Sequence, residues 1–164
     1  MSVSLTRRRA DYYGSVPLTI QFSETRVTSP LIDDPADSPF NRLIGFTISE
    51  WRDGEVELTL ELRPELLNRS GILHGGVLAT LIDAAGGFSG CYSAEPGRVR
   101  RALSLSLTTN FTGQSKQGLV RVVGRKRAGG RKVFFAGVEV FNDAGELIAT
   151  GVGTYRYRSG SEPV

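Results

Sequence analysis

Cysteine, histidine, methionine and tryptophan each occur once in this chain of 164 residues. The lone Cys91 excludes an intrachain disulfide and any cysteine-based metal cluster. The lone His74 excludes a histidine-rich metal site, and no metal or other cofactor is implied. No apolar run approaches the ~18 residues of a membrane-spanning helix. Arg7, Arg8 and Arg9 are followed by Asp11, two tyrosines and Gly14. No apolar segment follows them, so no signal peptide is read and a cytoplasmic protein is expected. Acidic residues are missing from residues 96–138, a stretch that holds ten Lys and Arg.

That charge gap is local. The net charge is only +3, too small to demand a nucleic-acid partner. A one-sided basic field favours an anionic partner. It equally suits a solvated face balanced by acids folded against it.

Hydrophobic residues at 40% and charged residues at 23% are ordinary for a soluble globular chain of one domain. Residues 1–38 are punctuated by Pro17, Pro30 and Pro35 and read as an extension, with one edge strand suggested by Val16, Leu18, Ile20 and Phe22. Residues 39–158 form the domain, and residues 159–164 read as a flexible tail. Residues 55–62 alternate strictly, with Val56, Leu58, Leu60 and Leu62 on one face. Residues 43–51 are expected as the hairpin partner across Asp53-Gly54. Four more strands are expected: one through residues 103–108, then 119–125, 133–141 and 147–157.

Between the second and third strands the period changes. Val77, Leu78, Leu81, Ile82, Ala85, Phe88 and Tyr92 recur at helical spacing, predicting one long amphipathic helix over residues 76–92. One helix covers one face of an antiparallel sheet, giving an α+β chain. Gly75 and Gly76 begin the helix where the first N–H groups are free. Alone, the pair reads as a tight turn or as an anion or carbonyl site. Asp83 lies on a helix face of Ala79, Gly86, Gly87 and Gly90, a face suited to close approach by another element. It reads as an interface hydrogen-bonder or as a functional carboxylate.

The combination is sharper. Asn68, then His74-Gly75-Gly76, then Asp83 stand on one loop and helix. With residues 39–45 (PFNRLIG), Asn110-Phe111 and residues 145–151 (GELIATG), this resembles the hotdog-fold acyl-CoA thioesterases of the PaaI-like, phenylacetate-pathway branch over residues 38–157. Where relatives commonly carry Arg-Pro after the Asn-Phe pair, Thr112-Gly113 stands here.

The resemblance implies an antiparallel sheet wrapped around a central helix, homodimers and often dimers of dimers. It implies an acyl-CoA substrate, with no nucleic-acid or membrane partner. By position, Gly75 supplies the backbone N–H that polarises the thioester carbonyl, and Asp83 is nucleophile or general base. Asn68 positions the carbonyl or the attacking water, His74 orients nearby, and Ser104 helps to hold the water. Gly76 adjoins the substrate. Arg125, Arg127, Arg131 and Lys132 suit the phosphates of CoA, or form only a solvated hairpin. A hotdog hydratase using His74 and Asp83 as acid and base is an alternative, as is a non-catalytic acyl-CoA-binding domain. Helix geometry adds a constraint. Gly75 and Asp83 lie eight residues apart, ~12 Å along one helix. A carbonyl held by the Gly75 N–H is beyond reach of the same helix's Asp83. A two-fold dimer with composite sites is therefore expected.

Overall fold

The computed structural model describes residues 38–95, 98, 100–161 and 163. The proline-rich extension and the strand expected at residues 16–22 lie outside the described residues.

The strictest alternation makes the most regular strand. In β2 (Glu55–Glu61), Val56, Leu58 and Leu60 are buried while Glu55, Glu57 and Thr59 face outward. It pairs antiparallel with β1 (Thr47–Arg52) across Asp53-Gly54. The chain before β1 departs from the expected strand: Leu43 and Ile44 end a short helix, α1 (Pro39–Ile44). The local chemistry explains it. The Ser38 hydroxyl accepts the Asn41 N–H at 3.1 Å, and Pro39 opens the helix where no N–H is needed. Gly45 closes it in the left-handed region at φ 86°.

The long helix is α2 (Gly75–Ser89). After it come β3 (Ala102–Phe111), β4 (Leu119–Gly129), β5 (Val133–Phe141) and β6 (Leu147–Tyr157). All six strands join one antiparallel sheet in the order β1-β2-β4-β5-β6-β3, which leaves β3 at an edge. The pairing of β3 with β6 carries a bulge: Ser104 pairs with Tyr155 and Ser106 with Thr154, so Leu105 has no counterpart.

Helix α2 lies on one face. Leu78, Leu81, Ile82 and Ala85 are buried against Val56, Leu58, Val120, Val122, Val138 and Val140. Leu81 and Ile82 are fully buried, and each contributes roughly 1.5–3 kcal/mol by leaving water. The small-residue face of α2 meets the chain's own sheet. A Cβ at Gly86 would stand 2.1 Å from the Tyr155 hydroxyl, and one at Gly90 would stand 2.4 Å from the Phe134 ring. The element that comes close at these two glycines is thus the chain's own sheet.

The opposite face carries rows of ions. Arg121 pairs with Glu57 at 3.2 Å, and Arg125 reaches Glu55 at 2.8 Å and Glu139 at 3.0 Å. The chain beyond β6 is held at its start: Ser161 is buried, and its carbonyl accepts Arg100 Nε at 3.2 Å. Among the described residues, no helix is long and apolar enough to cross a membrane.

Candidate active site

Helix α2 opens with a side-chain cap. His74 is extended (φ −66°, ψ 133°), which folds its ring back so that Nδ1 accepts the Gly76 N–H at 2.8 Å. The lone pair of Nδ1 is thereby engaged, so in neutral His74 the proton sits on Nε2. The expectation that both glycine N–H groups are free needs correction, because Gly76 is spent on the cap. The Gly75 N–H has no hydrogen-bond partner among the described residues. It is one of the unpaired donors at the positive end of a helix.

The fold itself does not need a glycine at residue 75. A Cβ there would meet only the Phe111 ring, at 3.5 Å or more, which is ordinary contact. Phe111 ends the edge strand β3 and is half exposed. Its ring walls one side of the free N–H.

Asn68 sits on the loop before the helix. Its Oδ1 accepts the N–H groups of Ser70 at 2.8 Å and Ile72 at 3.3 Å. The loop is closed by the Leu67–Leu73 bridge. The Asn68 Nδ2 is left without a partner among the described residues and is the atom able to donate to a ligand.

Two turns further along the helix stands Asp83. Its Oδ1 accepts the Ser104 hydroxyl at 2.6 Å. The sequence-derived pair Asp83 and Ser104 is thus brought together by packing α2 beside the edge strand. The same packing fixes the height of the carboxylate, because the Tyr155 hydroxyl donates to the Asp83 carbonyl at 3.3 Å. Burial, and then the Asp83 charge, push the Tyr155 phenol well above its usual range, so it remains a donor. Gly75 and Asp83 remain on one helix, ~12 Å apart by its rise. One chain does not bring them together.

The far end of α2 is tied down. Trp51 Nε1 donates to the Phe88 carbonyl at 3.0 Å, and the Tyr157 hydroxyl donates to the Gly90 carbonyl at 3.0 Å. Arg100 Nη1 reaches the Tyr92 carbonyl at 2.9 Å. Cys91 is buried here, and burial pushes its thiol up to about 11.

The predicted basic residues separate. Arg125 forms two ion pairs on the outer face, with Glu55 and Glu139. Arg127, Arg131 and Lys132 are exposed at the β4–β5 hairpin and form no ion pair among the described residues.

These features meet known proteins. A family model described as the thioesterase superfamily matches residues 70–149. Zebrafish thioesterase superfamily member 2 is 31% identical, with 74% of this chain and 88% of that chain covered and a TM-score of 0.65. The chain belongs to the thioesterase superfamily. The esterase-named protein TV1331 of Thermoplasma volcanium is 31% identical over 121 residues, 73% of this chain and 89% of its own. The E. coli PaaI protein of the phenylacetic acid degradation operon is 19% identical, with 77% and 89% covered and a TM-score of 0.68. It shares the hotdog fold of this thioesterase-superfamily member. Together these relatives support a hydrolase of ester or thioester bonds.

Two features of this thioesterase-superfamily chain carry no role in the sequence. Phe111 is one half of a matching pair with no role of its own. Tyr155 has no signal beyond strand alternation. His74 before a helix also reads as a capping hydrogen-bonder, and its Nδ1 on the Gly76 N–H is that cap.

Proposed function

We propose that the chain hydrolyses acyl-CoA thioesters to free acid and CoA, as a homodimer with two shared sites. One observation carries this reading: the helix start offers an unpaired Gly75 N–H, while a serine-held carboxylate, Asp83, stands two turns away beside an open sheet edge. The Gly75 N–H of one protomer takes the thioester oxygen as it gains charge. Asp83 of the other protomer attacks the carbonyl or draws the proton from water, and its Ser104 orients the carboxylate or water. Asn68 Nδ2 adds a second donor at the carbonyl. His74 holds the helix start in shape.

The edge strand suits the dimer. Among the described residues, β3 has an unpaired edge of backbone groups, and its Leu103 and Leu105 are exposed. Antiparallel pairing of two β3 strands about a two-fold axis joins the sheets and brings each helix start towards the partner helix. A dimer of dimers extends the same assembly. The exposed Arg127, Arg131 and Lys132 face the phosphates of CoA. The hydratase alternative needs His74 as a proton acceptor, and the engagement of Nδ1 by Gly76 counts against it.

Thiol release from short, long and aromatic acyl-CoAs tests the activity. Mixing two inactive variants tests the shared site. Pro is compatible with the first position of a helix, and His74 already has the extended backbone that a following Pro demands. Gly75→Pro therefore removes the N–H and leaves the helix. Exchanged with Asp83→Asn subunits, it should rebuild one intact site per heterodimer and recover up to about half of wild-type activity in that species. Folded, exchanged subunits that recover nothing would refute the shared site.

A further inference from the structure

Two tyrosines of β6 face helix α2, and both direct their hydroxyls at its backbone. Tyr157 donates to the Gly90 carbonyl at 3.0 Å, at the end of the helix. Tyr155 donates to the Asp83 carbonyl at 3.3 Å, in the middle of it. Both rings are buried and pack on Phe134, with centroids 5.1 Å away for Tyr155 and 4.8 Å for Tyr157. A buried hydroxyl needs a partner, and a helix end offers carbonyls that have none. That accounts for Tyr157. It does not account for Tyr155, because a carbonyl in mid-helix already serves the helix.

The room made for the Tyr155 hydroxyl sets it further apart. A Cβ at Gly86 would lie 2.1 Å from that oxygen, and one at Gly153 would lie 2.4 Å from it. Gly86 belongs to the helix and Gly153 to the strand of Tyr155 itself, so the slot is cut from both sides. Glycine weakens a helix and a strand alike, so the slot is kept at a cost in stability.

Register supplies a third observation. Tyr155 pairs across β6 and β3 with Ser104, whose hydroxyl donates to Asp83 Oδ1 at 2.6 Å. One cross-strand pair thus holds both ends of Asp83: Ser104 the carboxylate, Tyr155 the carbonyl. The two holds differ in kind. β3 is an edge strand, exposed at Ser104 and bulged directly after it. β6 is paired on both sides, by β5 and by β3.

We infer that Tyr155 is a positioning residue for Asp83: its hydroxyl, seated between Gly86 and Gly153, sets the height at which the helix presents the carboxylate to the thioester. The inference rests on the reading of Asp83 as nucleophile or base. Tyr155 refers the place of Asp83 to a strand inside the sheet, where Ser104 alone would refer it to the edge. About 1 Å of misplacement costs ~10²-fold in rate, so a shift of about 0.5 Å costs about tenfold. Burial, and then the Asp83 charge, hold the phenol well above its usual range, so the donor proton stays in place at neutral pH.

Two matched substitutions in the full chain test this. Tyr155→Phe and Tyr157→Phe each remove one hydroxyl and keep a ring on Phe134. Tyr155→Phe should lower kcat about tenfold and leave KM for acyl-CoA near its wild-type value. Tyr157→Phe should leave kcat unchanged, even where it lowers the melting temperature as much. No loss of kcat in Tyr155→Phe, or equal losses in both variants, would show that the hydroxyl serves packing alone and overturn the proposal. Coupling sharpens the test. With Ser104→Ala already in place the carboxylate is loose, so adding Tyr155→Phe should cost clearly less than tenfold. Effects that simply multiply would overturn the shared hold. A crystal structure of Tyr155→Phe gives a readout independent of activity. The Asp83 carboxylate should move by at least about 0.5 Å relative to the sheet, and a carboxylate that stays in place overturns the proposal. If Asp83→Asn proves fully active, the reading of Asp83 fails, and this displacement alone decides whether Tyr155 sets its place.

Discussion

The two ends of helix α2 are built on opposite principles. At the C-terminal end, three carbonyls accept from Trp51, Tyr157 and Arg100, groups drawn from β1, β6 and the segment before β3. Gly90 there is filled by Phe134 to the point where a methyl group does not fit. At the N-terminal end, one N–H is capped by His74 and its neighbour is left unpaired, although a glycine there is no packing requirement. The tied end provides rigidity. The open end keeps a polar group unsatisfied, at a cost in stability, and that group is available to a ligand. Glycines at the two ends therefore have different meanings, and mutation should tell them apart.

The largest effect is expected at the open end. Gly75→Pro should lower kcat by roughly 10²–10³-fold, the loss seen when one oxyanion donor is removed. Its melting temperature should stay close to wild type, because the first helical position tolerates Pro. A large fall in melting temperature would show that Gly75 serves the fold after all. Next comes Asp83→Asn. Turnover should drop by at least ~10²-fold with fold and assembly kept, as for loss of a general base. Near-normal hydrolysis would remove Asp83 from the chemistry.

At the tied end the outcome should reverse. Gly90→Ala places a methyl 2.4 Å from the Phe134 ring. Overpacking of this kind costs about 1–3 kcal/mol, lowering the melting temperature by roughly 3–10 °C. Activity per folded molecule should be retained. The smallest effect is read in alkali. The Cys91 thiol is held near 11 by burial, against 9.0 when exposed. Above pH 9 the unfolded chain releases this proton while the folded chain keeps it. The stabilisation is therefore complete below pH 9 and is lost as pH rises towards 11, roughly 1 kcal/mol of it by pH 10. Cys91→Ala should flatten that alkaline limb in denaturant titrations, and in the native wild type the thiol should resist disulfide exchange reagents at pH 8.

What was legible in the sequence follows the range of the physics involved. The faultless alternation of Val56, Leu58 and Leu60 and the helical spacing of Leu78, Leu81, Ile82 and Ala85 are local signals, and both elements appear where the pattern puts them. Helix α1 was equally local: Ser38, Pro39 and Gly45 spell a start and a stop. Its six residues are too few for a periodic stripe, so periodicity passed over it. Asp83 stood out as an acid among glycines, but its hydroxyl partner Ser104 is 21 residues away and on another element. Only the family resemblance joined the two before the fold did. The glycines of α2 mark the limit. Composition says that something comes close, and only register reveals that it is Tyr155 and Phe134 of the same chain.

The extra residue in β3 has a consequence of parity. Ser104 meets Asp83, and Phe111 meets Gly75, so both side chains point to the helix side of the sheet. They are seven residues apart, an odd number, and on a regular strand such residues point to opposite faces. Leu105 absorbs the mismatch. Were the same residues laid on a strand without the bulge, Ser106, Thr108 and Asn110 would face the helix beyond Ser104, and the free N–H at Gly75 would look onto a carboxamide instead of a phenyl ring. Deleting Leu105 has the opposite outcome: Ser104 and Phe111 become six residues apart, an even number, so the strand turns regular and the phenyl ring stays over Gly75. The bulge is thus what sets the polarity of the wall around Gly75, with every residue at the helix start untouched.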